Sequence, residues 1–246
     1  SMTRPLRIAH ISDTHLGYRA LPNQDPLTGR NQRAVDVENA FAAAVDDILR
    51  LEPDLVLHAG DVFHQSRPNW HAVRHFVMQM RRIEDAGIPT VVIAGNHDTP
   101  RYRAGGSVFS VLDVALPKIH ISAGYEEEEF VFDDLGLRVQ TLPHGALTNP
   151  DDPVVFAKPG VRNILLTHGM AAGVRAPGKI TEPGEQELDN ELFESNWDYI
   201  ALGHYHISMP PFAGARYAGS TERFGWGDYE AKPGYLIVTM DEDGTV

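Results

Sequence analysis

The chain contains no cysteine, so disulfide bonds and thiolate metal sites are excluded and any metal must be held by His, Asp, Glu or Asn. It lacks any run of about 18 apolar residues, and no charged start precedes an apolar stretch. No membrane span or signal peptide is expected, and a cytoplasmic location is the default. Basic residues are also scarce: 21 Lys and Arg stand against 34 Asp and Glu, for a formal charge of −13. That balance argues against a broad basic surface that grips nucleic acid, although bound divalent cations would add positive charge the count omits. Part of the acidic excess is local, in Glu126 to Glu129 and Asp133-Asp134, a segment expected on a solvated hairpin. There is no internal repeat and no low-complexity segment. With 246 residues, 42% of them hydrophobic, one large domain covering 1–246 is expected.

Short apolar runs carry the organisation. Leu6 to Ile11, Leu55 to Leu57 and Thr90 to Ala94 read as buried strands. Between them, helices are expected over about Val35 to Leu51, ended by Pro53, and about Trp70 to Ala86, closed by Gly87. This alternation implies parallel βαβ pairing. The Gly17 to Arg30 loop is long enough to suggest function. A short helix over about Val108 to Leu116 follows. Strands are then expected at Glu129 to Phe132 and Leu137 to Leu142 around an Asp134-Leu135-Gly136 turn, and at Arg162 to Leu166, Tyr199 to Leu202, Ala215 to Ala218 and Tyr235 to Met240. Helix in this second half is expected only over about Glu187 to Phe193, with Pro143 to Gly160 and Gly169 to Gly184 as loops. Two sheets packed face to face, with helices outside, fit the order better than one doubly wound sheet.

Five polar phrases stand at the ends of these runs: Ser12-Asp13-Thr14-His15, Ala59-Gly60-Asp61, Gly95-Asn96-His97-Asp98, Thr167-His168-Gly169 and Gly203-His204-Tyr205-His206. Strand ends are where a rigid scaffold can hold ligand side chains while loops admit substrate, so the phrases should converge at one rim. Phosphodiester hydrolysis near neutral pH needs a nucleophilic hydroxide and positive charge around the phosphoryl oxygens. Two divalent cations about 3.5–4 Å apart supply both, by lowering the pKa of a bridging water and clamping the oxygens. Asp13, His15, Asp61, Asn96, His168, His204 and His206 are seven candidate ligands for such a pair, with Asp61 the natural bridge. Mixed imidazole and oxygen donors suit Mn²⁺, Fe or Zn²⁺ better than Ca²⁺ or Mg²⁺. His97 can protonate a leaving alkoxide, and Asp98 is expected to orient its ring.

Other histidines lack this support. His10 and His58 lie within strands and read as core residues with satisfied hydrogen bonds; His71, His75 and His120 read as surface. His144 is left open between the site and the scaffold. Tyr18, Arg19, Arg67, Arg101, Tyr102 and Arg103 border the motifs and are candidates for contacting phosphates or stacking on bases, or are ordinary loop residues. Helix Trp70 to Ala86, with Trp70, Val73, Phe76, Val77 and Met80, has more apolar surface than one core face requires, which fits a homodimer bundle or burial in the core.

The phrases, in this order, resemble the calcineurin-like metallophosphoesterase superfamily. The resemblance implies an α/β fold, a four-layer αββα sandwich of two mixed β-sheets flanked by helices. It also implies that Asp13, His15, Asp61 and His206 hold one metal and Asp61, Asn96, His168 and His204 the other. The stretches Ile8 to Tyr18, Gly60 to Pro68 and Ala218 to Arg223 further resemble the nuclease subunit of the double-strand-break repair complex, of the meiotic-recombination-eleven or SbcD type. That resemblance covers nearly the whole chain. It implies a Mn²⁺-dependent DNA exonuclease and endonuclease, catalytic assistance from His64 and His97, an SMC-like ATPase partner, and a nucleoid-associated setting if the source is bacterial. The capping domain and helical ATPase-binding segment usual in that family have no counterpart before Val246, and the Arg19 to Arg30 loop is longer than in compact members. The alternative is a general metal-dependent phosphodiesterase or phosphatase acting on small molecules or phosphoproteins, since one metal centre serves all of these chemistries. A non-catalytic module that kept the fold is a further reading, disfavoured by the full ligand set.

Overall fold

The computed structural model describes residues 4–149, 154–171, 185–206, 210–222 and 234–246. Strands β1 (Leu6–Ile11), β2 (Leu55–His58), β3 (Thr90–Ile93) and β4 (His120–Ser122) run parallel, and β12 (Leu236–Met240) pairs antiparallel with β1 at the edge. The second sheet repeats this plan. In it β6 (Leu137–Leu142), β7 (Arg162–His168), β10 (Tyr199–Gly203) and β11 (Ala215–Tyr217) are parallel, with β5 (Glu128–Phe132) antiparallel to β6.

Alternation along each strand divides the apolar side chains between two faces. Leu6, Ile8, Leu55, Leu57, Val91 and Ile93 face Leu137, Val139, Ile164, Leu166, Tyr199 and Ala201, and this layer joins the two sheets. On the other face of the first sheet, Ala9, Ile11, Val56 and Val92 pack under helices α1 (Gln32–Leu51), α2 (Trp70–Asp85) and α3 (Val108–Ala115) through Phe41, Val45, Ile48, Phe76, Met80, Phe109 and Leu112. Each fully buried Phe or Leu of this kind stabilises the fold by about 1.5–3 kcal/mol. The second sheet's outer face, with Leu165, Ile200, Leu202 and Tyr217, is covered more thinly, by the short helix α4 (His144–Leu147) and residues around Leu188 and Leu192. The four-layer sandwich is therefore present, with its helical content concentrated on the first sheet.

Differences from the sequence reading have local causes. Helix α1 starts at Gln32 because the Asn31 side chain accepts from the Ala34 N–H and caps it there. The helix expected over 187–193 does not form. Glu187–Leu188 is β9, paired with β8 (Met170–Ala171), and the Asp189 side chain then accepts from Glu191 N–H to start a single 3-10 turn, Asn190–Phe193. The 143–160 loop contains α4, and residues 172–184 of the second expected loop lie outside the described ones. The acidic hairpin is partly paired rather than simply solvated, since Glu129 accepts from Arg138 at 2.8 Å and Lys158 at 2.6 Å. His75 is not on the surface: its side chain is 14% exposed and its Nδ1 lies 3.6 Å from Glu38, in the seam of α1 and α2. Among the described residues no helix is long and apolar enough to cross a membrane.

Candidate metal centre

The carboxyl ends of β1, β2, β3, β7 and β10 meet at one rim, so ligands from both sheets converge there. Asp13 and His15 follow β1, Asp61 follows β2, Asn96 and His97 follow β3, His168 closes β7, and His204 and His206 follow β10. Asp13, His15 and Asp61 have φ of 52°, 45° and 53°. These left-handed steps, costing of order 1–3 kcal/mol each, turn Asp13 and His15 to the same side. The backbone around them is tied across the strand ends: Asp13 N–H donates to Gly60 O at 2.9 Å and His15 N–H to Asp61 O at 3.0 Å.

Each carboxylate is oriented by one oxygen and leaves the other facing the rim. Asp13 Oδ2 accepts from Ser12 Oγ at 2.6 Å and from His204 N–H at 3.0 Å, while its buried Oδ1 has no hydrogen-bond partner. Asp61 Oδ1 accepts from His97 N–H at 2.9 Å. Its Oδ2 lies between two imidazoles, 3.5 Å from His15 Nε2 and 3.3 Å from His168 Nε2. His168 Nδ1 bonds Ala59 O at 2.7 Å, which leaves Nε2 facing Asn96 Oδ1 at 3.0 Å. His15 Nε2 also faces His206 Nε2 at 3.1 Å and Asp13 Oδ1 at 3.6 Å.

These distances test whether a cation fits. Ligand atoms each about 2.0–2.2 Å from an ion, at angles near 90–110°, lie about 2.8–3.6 Å from one another. The donor pairs fall in that range, and an orphaned buried carboxylate oxygen together with a ring nitrogen confronting two oxygen acceptors marks where positive charge belongs. Asp13, His15 and His206 form one such group and Asp13, Asp61 and His168 another. The electrostatics agree. Burial disfavours a charge on His168, but the Asp61 carboxylate more than offsets it and raises the imidazole to about 9. Burial pushes Asp61 up, yet His168 above all holds it well below the usual carboxylate range. Asp13, likewise opposed by burial, is held at about 2, chiefly by His15. Burial dominates at His15 and lowers it.

Beside this centre, His64 and His97 stack with ring centroids 5.0 Å apart and planes 20° apart. His97 Nδ1 donates to His64 O at 3.1 Å, so Nε2 is the nitrogen it presents beyond the stack. His64 Nδ1 lies 3.1 Å from His15 Nδ1, and the Tyr18 ring meets His64 edge-on at 5.1 Å.

One expected role is corrected. Asp98 does not orient the His97 ring: its oxygens accept from Gly95 N–H at 2.7 Å and Phe63 N–H at 3.1 Å, so it fastens the loop. Burial, with Asp61 next, pushes its carboxyl up to about 8. Arg103 is held 4.1 Å above the Tyr125 ring and donates to Asn149 at 2.5 Å, which bridges the two halves of the chain. Arg19 is exposed, while Arg67, Arg101 and Tyr102 line a cavity of about 690 Å³ with Ser66 and Trp70. His10 and His58 are core residues as expected, bonded to Tyr199 Oη at 2.7 Å and Thr14 Oγ1 at 3.0 Å. His144 is 7% exposed, its N–H donates to Ala94 O at 3.1 Å, and burial lowers its imidazole to about 4. His204 gives its Nε2 to Glu185 at 2.8 Å, a residue that no motif signalled. Arg223 lies outside the described residues; the preceding Gly219 and Ser220 back onto Ser12 and His206.

Two facing mixed sheets thus gather Asp, His and Asn side chains where their parallel strands end, a donor set suited to divalent cations in an α/β sandwich. The profile of the Calcineurin-like phosphoesterase family matches residues 6–208, and the chain belongs to that family. It is 31% identical over 225 residues to the DNA double-strand break repair protein Mre11 of Thermoplasma acidophilum, covering 87% of this chain and 55% of that protein. It is 28% identical over 244 residues to the protein of the same name from Haloferax volcanii, covering 96% of this chain and 50% of that one. The chain thus spans about half the length of the curated relatives it matches. Among solved structures, TT1561 of Thermus thermophilus shares the fold with a TM-score of 0.51 at 12% identity, covering 98% of this chain and 100% of that one. The chain is a phosphoesterase whose family implies divalent metal ions, and its residues fit them.

Proposed function

We propose that this chain is the catalytic domain of a Mn²⁺-dependent DNA nuclease that hydrolyses phosphodiester bonds in double-strand-break repair. One observation carries the reading: the stacked His64 and His97 stand against a carboxylate and imidazole centre that calls for cations. Relatives named for double-strand-break repair, matched over most of the chain, support DNA as the substrate.

Metal ions at the centre supply a water of lowered pKa and positive charge on the phosphoryl oxygens. Asp61, whose Oδ2 lies between the His15 and His168 imidazoles, would be shared by the two ions. Asp13, His15 and His206 would hold one ion, and Asn96, His168 and His204 the other. In its imidazolium form, with Nδ1–H held by a carbonyl, His97 would give the Nε2 proton to the leaving alkoxide and be left neutral, and His64 positions the phosphate. Arg67, Arg101 and Tyr102, which line one cavity, contact the strand, together with Tyr18, whose ring meets His64, and the exposed Arg19. An SMC-like ATPase is the proposed partner, and the site of action is chromosomal DNA in the cytoplasm. The exposed apolar side chains of α2 and α3, Trp70 at 87%, Val111 at 61% and Val114 at 82% exposure, pair two copies as a homodimer.

The test incubates purified protein and Mn²⁺ with end-labelled duplex and single-stranded DNA, beside His97→Ala and EDTA controls. Metal-dependent and His97-dependent degradation is expected. Intact DNA alongside cleavage of a cyclic nucleotide would replace this reading with the general phosphodiesterase, which the −13 charge favours.

A further inference from the structure

Glu185 stands outside every motif, yet its side chain is 2% exposed and its Oε1 lies 2.8 Å from His204 Nε2. A carboxylate that far from water is costly to keep unless a partner compensates it. The backbone next to it is anchored at the site: Met170 N–H, two residues after His168, donates to Gln186 O at 2.9 Å, and β8 then pairs with β9. The loop that delivers His168 therefore also sets the height of Glu185. From the other side, His204 N–H donates to Asp13 Oδ2 at 3.0 Å, and its ring meets His168 edge-on at 5.5 Å. The imidazole is held by its backbone, by a neighbouring ring and by one carboxylate.

We propose that Glu185 is a positioning residue of the metal centre. Its carboxylate accepts the His204 Nε2–H, fixes that tautomer and leaves Nδ1 as the nitrogen offered to the metal. The inference rests on the two-metal reading above and adds to it the residue that selects the donor atom of one ligand. The chemistry is general: an imidazole bound to a metal through one nitrogen is oriented, and made more basic, by a carboxylate on the other. With Nε2 engaged by Glu185, Nδ1 is the remaining ring nitrogen of His204.

The experiment measures Mn²⁺ binding to metal-free wild type, Glu185→Ala and Glu185→Gln by calorimetry. In parallel, long-range ¹H–¹⁵N spectra of the metal-free proteins read the His204 tautomer, with His204→Gln assigning the signal. Wild type is expected to show protonated Nε2 and two bound ions. Glu185→Ala is expected to lose about 10–100-fold in affinity for one ion, with the other unchanged, and to show a mixed tautomer. Glu185→Gln, whose amide oxygen can still accept, is expected to keep the Nε2–H tautomer and to weaken the same ion, by less than the alanine variant does. If the alanine variant does not fold, this isosteric variant decides alone. Two ions bound as tightly by both variants, or an unchanged tautomer in Glu185→Ala, would overturn the role of Glu185 and leave the metal reading standing. A wild type that binds no divalent ion would overturn both.

Discussion

Alanine at position 203 places a methyl group where the two sheets touch. A Cβ built on Gly203 at the end of β10 would lie 2.1 Å from Ala59 O, beyond β2, and 2.9 Å from His168 Nδ1. Both neighbours are fixed, one by backbone and the other by the 2.7 Å bond between them that orients the His168 ring. The strand ends must separate by about an ångström to accept the methyl, a case of overpacking that costs about 1–3 kcal/mol. In a chain of this size, a loss near 2 kcal/mol lowers Tm by roughly 4–8 °C. The same movement weakens the bond that keeps His168 Nε2 facing Asn96 and Asp61, and losing a contact of that kind lowers metal affinity by about 10–100-fold. Calorimetric melting and Mn²⁺ titration of Gly203→Ala would measure both effects. Gly124→Ala serves as the control, since a Cβ there meets nothing within 4 Å. If Gly203→Ala melted with the wild type and bound metal as tightly, the claim that this glycine sets the spacing of the centre would be wrong.

Asp61→Asn should retain the fold and lose measurable hydrolysis, because the oxygen 3.5 Å and 3.3 Å from the two imidazoles would no longer carry the shared charge; activity and circular dichroism together decide this. Excess Mn²⁺ should stabilise the chain by about 2.7 kcal/mol at a hundred times its Kd, seen as a Tm that falls back on adding EDTA. Burial lowers His10 from 6.5 to about 4, so the unfolded chain takes up the proton first. Its contribution is complete above pH 6.5 and is lost as pH falls toward 4, up to on the order of 3 kcal/mol. Urea unfolding at pH 7.5 and 4.5 should show that slope, and His10→Gln should flatten it. Asn31→Ala should cost about 1 kcal/mol through the lost α1 cap, and an unchanged urea midpoint would contradict it.

The strands were legible because short runs such as Leu55–His58 and Thr90–Ile93 are buried on both faces and admit little else. The ligand phrases were legible because each sits where such a run stops. Signals of the same residue types failed where a third element decided the outcome. Over 187–193 the apolar spacing suits a helix, but strand pairing with Met170–Ala171 takes the first residues and the Asp189 cap the rest. Asp98 follows His97 in sequence, yet the turn directs its carboxylate to the backbone of Gly95 and Phe63. His75 lies in the seam between two helices because it falls on the side of α2 that meets Glu38. Glu185 had no signal at all: it is one of several acidic residues in a polar stretch, and only the tertiary fold brings it to His204.

The sandwich has near-twin halves, each with four parallel strands and one antiparallel edge. The candidate ligands are divided between them, Asp13, His15, Asp61 and Asn96 on the first and His168, His204 and His206 on the second. Neither half owns a working centre. A chain with only one sheet formed would carry only part of the candidate ligand set, so completing the set requires both sheets to close on each other. For an enzyme able to cut phosphodiester bonds, this makes the folding transition itself a safeguard against activity from incomplete molecules.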